Sequence, residues 1–69
     1  MEVFVVLVIH VNKNVFTTKL SAVCDNQFIA RKYADIAVRT GAQAAEVHKK
    51  VMNAPYTDLD EIVYQTTKK

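Results

Sequence analysis

The run from Val3 to Val11, Val-Phe-Val-Val-Leu-Val-Ile-His-Val, is the most continuously apolar stretch of the chain and constrains the fold more than any other. Valine and isoleucine are stiff at χ1 and suit a pleated surface, and the run is far shorter than the roughly 20 apolar residues a membrane-crossing helix needs. It is expected to be a strand inside a folded domain. Successive side chains of a strand point to opposite faces, so Val3, Val5, Leu7, Ile9 and Val11 line one side and Phe4, Val6, Val8 and His10 the other. Both sides are apolar. A strand wetted on one side would alternate, so this one calls for something to cover each face.

The rest of the chain has to supply that cover from 69 residues. A chain of this size forms one domain, here residues 1–69, and buries only about 60% of the surface its unfolded form exposes. Hydrophobic residues make up 51% and charged residues 23%, which excludes a disordered or acidic tail. A net charge of +2 permits a nucleic-acid partner without arguing for one. The single cysteine, Cys24, rules out an internal disulfide framework and fits a reducing compartment, so a cytoplasmic location is expected. No targeting segment is expected either. Glu2 stands where a secretory signal carries positive charge, no small-x-small pattern follows the apolar run, and Val23 is too large for the residue preceding a lipidated cysteine.

After the first strand, Asn12-Lys13-Asn14 tolerates a tight turn, and a second β-rich run, Val15 to Cys24, completes a hairpin. Its even positions, Phe16, Leu20, Ala22 and Cys24, are mostly apolar, which gives one core face and one wet face. Asp25 sits where a helix N-cap belongs and Gly41 where a C′ glycine belongs, bracketing a helix over about 25–40. On its wheel Ile29, Ala30, Tyr33, Ala34, Ile36 and Ala37 gather on one side, opposite Arg31, Lys32, Asp35 and Arg39. Residues 43–53 fit either a helix or a strand; the Gly41 stop and the need for a third strand favour a strand from about Ala45 to Asn53. Past the turn at Pro55, Thr57 to Glu61 carries a helix-capping signal, while Ile62 to Thr67 is dense in β-branched and aromatic residues and reads as a fourth strand. The expected fold is therefore α+β, an antiparallel sheet in β-β-α-β-β order with one helix packed on one face.

Chemistry is sparse. One glycine cannot build a phosphate loop, and no paired-cysteine or His-x-x-x-His spacing occurs, so no cofactor and no metal are expected. A nucleophile and base could be assembled only from Cys24 with His10 or His48, oriented by Asp25, but each has a simpler reading as a strand residue, and no enzymatic activity is expected. Asp58, Asp60 and Glu61 read as capping or solvated turn charges before a cation site. Lys13, Lys19, Arg31, Lys32, Arg39, Lys49 and Lys50, with Tyr33, Tyr56 and Tyr64 as stacking groups, make RNA or single-stranded nucleic-acid binding the alternative function, with Arg31, Lys32 and Arg39 as its contacts.

The main functional expectation comes from supply and demand of apolar cover. One helix covers one face of a four-stranded sheet, and no second strong amphipathic segment is available unless the Thr57 segment folds over as a helix. The face carrying Phe4, Val6, Val8 and His10 is then expected to meet another chain, in a homodimer, with a partner protein, or both, and no membrane.

The short apolar first strand, Lys13-Asn14 before Phe16-Thr17, Asp25 opening a helix and Ala30 within it together resemble the small tailed-phage antitoxins of the Dmd type. The resemblance covers residues 3 to 38. It implies a phage-encoded inhibitor that binds a host protein, a toxin or defence factor, in the host-cell cytoplasm.

Overall fold

A computed structural model describes residues 2–51 and 61–68, which form strand β1 (Glu2–Asn12), strand β2 (Val15–Cys24), helix α1 (Gln27–Arg39), strand β3 (Ala44–Val51) and strand β4 (Glu61–Thr67). The strands make one antiparallel sheet in the order β2-β1-β3-β4, with α1 against one face. The α+β expectation and its β-β-α-β-β order hold, and residues 44–51 are strand rather than helix. The capping signal at Thr57 and the turn at Pro55 lie outside the described residues.

Local chemistry explains each junction. Lys13 and Asn14 have φ of 50° and 67°, the pair of positive values that a two-residue type I′ hairpin turn requires. Such a turn matches the twist of its flanking strands, and the Asn12–Val15 pair closes it. The helix starts one residue later than Asp25 suggests. The Asn26 side-chain oxygen accepts from the backbone N–H of Phe28 at 2.8 Å and of Ile29 at 3.3 Å, satisfying two of the helix's orphan donors. At the other end Gly41, φ 124°, lets the chain reverse: its N–H donates to the Val38 carbonyl at 3.3 Å and the Ala42 N–H to the Ala37 carbonyl at 3.0 Å, a Schellman closure.

The helix meets the sheet through its alanines. Ala30 and Ala34 are fully buried, Ala37 and Val38 pack beside them, and their lack of bulk lets the helix lie close over Phe4, Val6 and Val8 of β1 and Ala45 and Val47 of β3. Ile29, Tyr33 and Ile36, read from the helical wheel as part of the same apolar face, sit about 100° further round. They are 46%, 47% and 50% exposed, turned toward the β2 side.

The face of β1 expected to be free is the one the helix covers. Phe4, Val6 and Val8 are 8%, 0% and 5% exposed, so they are core of this chain and unavailable to a partner. Only His10, beyond the covered part of that strand, is exposed. Composition could not separate the two faces, since both are apolar.

Candidate protein-binding face

The uncovered face is built by the ladder register, because residues directly opposite on neighbouring antiparallel strands share a face. Three rows cross all four strands: Val23-Val5-His48-Ile62, Leu20-Leu7-Glu46-Gln65 and Thr18-Ile9-Ala44-Thr67. Phe16 and Val11 add a fourth, shorter row at the hairpin end. No described element lies over these rows: Phe16, Leu20 and Val23 are exposed, and Val5, Leu7 and Ile9 are partly so.

A β-bulge supplies part of this face. Val6 pairs with Ala22 but Leu7 with Leu20, so Ser21 is the extra residue and the alternation of β2 changes phase there. Ala22 and Cys24 turn toward the helix while Phe16 and Leu20 turn to the open side, splitting the even-numbered apolar set that looks uniform in the sequence. A second irregularity at Val63 lets Tyr64 oppose Val47 on the helix side and Ile62 oppose His48 on the open side.

The face has two halves of different chemistry. Over β1 and β2 it is aliphatic and aromatic. Over β3 and β4 its centre is polar and internally paired: the Glu46 carboxylate lies 3.2 Å from His48 Nε2 and accepts from Gln65 Nε2 at 2.9 Å. These groups satisfy one another, so a self-paired polar half lies beside an apolar half.

The other candidate residues do not assemble a site. Cys24 pairs with Phe4 and His10 lies six residues further along β1, a separation of about 20 Å at the rise of a strand. His48 is on the opposite face of the sheet from Cys24, so neither histidine reaches the thiol. Among the described residues no group of His, Cys, Asp or Glu is placed to hold a metal ion, and no helix is long and apolar enough to cross a membrane. Asp58 and Asp60 lie outside the described residues, as does Tyr56.

The basic residues are divided. The Arg31 guanidinium lies over the Tyr64 ring, 4.6 Å from its centroid, and the Tyr64 hydroxyl donates to Asp35 Oδ1 at 2.6 Å. This clamp ties the helix to β4. The hydrogen bond to Asp35 is the main cause that raises the Tyr64 pKa above its ordinary value, with desolvation adding to it. Lys32 and Arg39 are exposed on the outer helix surface, three and four residues from Asp35 and therefore beside the clamp, with Phe28 exposed one turn before Lys32. Tyr33 faces the β2 side, away from Arg31, Lys32 and Arg39, whose aromatic neighbours are Tyr64, engaged by Arg31, and the exposed Phe28.

No protein-family model, curated protein or solved structure matches this chain.

Proposed function

We propose that this protein is a non-enzymatic binding protein that captures a partner protein on the open face of its sheet. One observation carries the reading: the apolar rows through Val5, Leu7 and Ile9 lie uncovered beside the exposed Phe16, Leu20 and Val23. Contiguous apolar surface of this kind on a small domain is a property of interaction sites. The resemblance of residues 3–38 to phage antitoxins supports a host toxin or defence factor as the partner, met in the host-cell cytoplasm.

The test compares immobilised wild-type protein with Leu7→Asp and with the double variant Lys32→Ala, Arg39→Ala in a bacterial lysate, followed by titration of the purified partner. Binding is expected to survive the helix variant and to fall at least about 30-fold with Leu7→Asp, the scale of an interface hot spot. Capture that ignores Leu7→Asp overturns the reading. Salt-sensitive binding of mixed oligonucleotides that is lost on removing Lys32 and Arg39 replaces it with nucleic-acid recognition.

A further inference from the structure

Between β2 and the C-terminal half of α1 runs a groove of about 370 Å³, on the helix side of the sheet and separate from the open face. We propose that it binds a small carboxylate with an apolar body, the carboxylate held by Lys19 and His10 and the body lying against Tyr33 and Ile36.

The ladder register brings the two basic side chains together. Val8 pairs with Lys19 and His10 with Thr17, and Val8 is buried under the helix, so Lys19, Thr17 and His10 share its side of the sheet. The bulge at Ser21 is what puts Lys19 there. Strict alternation from Cys24 would have placed it on the open face. As diagonal neighbours, Lys19 and His10 have Cβ atoms about 7 Å apart, so that an ammonium and an imidazole can reach one carboxylate.

The charge of the groove is one-sided. Among the described residues neither Lys19 nor His10 has an ion-pair or hydrogen-bond partner, and no Asp or Glu lines the groove. Asp35 is turned to the β4 side, where it accepts from Tyr64. The last carbonyls of α1 would repel an anion if they were bare, but they are occupied. Thr40 Oγ1 donates to the Ile36 carbonyl at 2.9 Å, and the Ala42 N–H donates to that of Ala37 at 3.0 Å. One lysine charge with an imidazole N–H beside it suits a monoanion rather than a doubly charged phosphate ester.

The remainder of the groove is apolar. Val8 and Ala37 lie at its base, and Tyr33 and Ile36, 47% and 50% exposed, line its helix wall. A concave, mostly apolar site of about 300–1,000 Å³ with a few convergent polar groups is the usual form of a small-molecule site. A ligand body seated here takes from water two large side chains that the alanine packing of the helix leaves outside. The head group is then selected by what it meets. A cation would face Lys19, and a wholly apolar ligand would desolvate Lys19 and His10 without pairing them, whereas a carboxylate satisfies both.

An NMR titration of the full chain, followed through its backbone amides, tests this with octanoate as the probe and octylammonium as its control of opposite charge. Octanoate is expected to shift the amides of residues 8–10, 19–21 and 33–40 saturably. Octylammonium is expected to bind at least about 10-fold more weakly, the scale of a charge-assisted hydrogen bond. Lys19→Glu, at an exposed position, is expected to reverse that order with the fold retained by circular dichroism. His10→Ala is expected to weaken octanoate about 5-fold, as the loss of one hydrogen bond does. Leu7→Asp is expected to leave both affinities unchanged, so the result does not depend on capture of a partner protein by the open face. The inference is overturned if no saturable shift occurs up to about 10 mM octanoate, a concentration at which a ligand of this size in a formed site binds. Shifts centred on the open face, equal affinity for the two probes, or an order unchanged by Lys19→Glu overturn it as well.

Discussion

Along β1, Phe4, Val6 and Val8 are shut beneath the helix, while Val5, Leu7 and Ile9, interleaved with them and of the same chemical kind, stay partly open. Their different fates come from what lies above each set. The core is small, and half of it is alanine: Ala30, Ala34, Ala42 and Ala45 beside Phe4, Val6, Val8 and Val47. Large apolar side chains are more numerous outside it, including Val11, Val15, Phe16, Leu20, Val23, Ile29, Tyr33 and Ile36. A domain that keeps small residues inside and large ones outside packs its helix closely on one face and leaves large apolar side chains exposed elsewhere.

The sharpest way to break this comparison is to place the same charge on each face. Val6→Asp introduces an unpaired carboxylate at a fully buried position and is expected to cost more than about 4 kcal/mol, leaving no cooperative thermal transition. Leu7→Asp, one residue away on the partly open face and opposite Glu46, is expected to cost clearly less, about 1–2 kcal/mol. Equal losses would mean that the two faces are not distinct. A similar contrast holds on the helix: Ala34→Leu overpacks the contact with β1 and β3 and is expected to cost about 1–3 kcal/mol in urea unfolding, whereas Ile36→Leu changes little.

Smaller effects test how firmly the helix closes its face. Asn26→Ala removes the cap and should cost about 1 kcal/mol, read as a lower urea midpoint with unchanged slope. The Tyr64 clamp gives the smallest expected effect and a pH signature. Its folded pKa is raised because its hydroxyl donates to Asp35, so the stability it adds is fully present below the unfolded value near 10 and is lost as pH rises through the folded value. An NMR titration of the Tyr64 ring should show the upward shift, and Asp35→Asn should remove most of it.

Much of the architecture was readable because its signals are local. The β-branched run of β1, the Asn12-Lys13-Asn14 turn and the Gly41 stop each act through a few adjacent φ and ψ angles. The helix N-cap lies one residue beyond the sequence expectation because Asp25 and Asn26 are both good caps, and the extended backbone and side-chain hydrogen bonds of Asn26 select it. The candidate face is legible in the sequence as a need for cover, but the sequence does not say that the helix closes over Phe4, Val6 and Val8 rather than Val5, Leu7 and Ile9. Strict alternation puts Phe16 and Leu20 on one face with Ala22 and Cys24 because it cannot register the extra residue at Ser21. Likewise the wheel of α1 presents one wide apolar arc, and nothing in it says that the sheet takes the alanines and leaves Ile29, Tyr33 and Ile36 outside.

By itself, then, the sequence determined that this chain makes a hairpin, a helix and two further strands, and that more apolar surface exists than one helix can cover. Which face of β1 is closed was decided only by the tertiary structure. The connection from β2 through α1 to β3 joins two mutually parallel strands that flank β1, and crossovers of this kind have a strongly favoured hand. Strand order, register and that hand place the helix over Val6 rather than Leu7, and none of the three is encoded in the composition of a strand whose two faces are equally apolar.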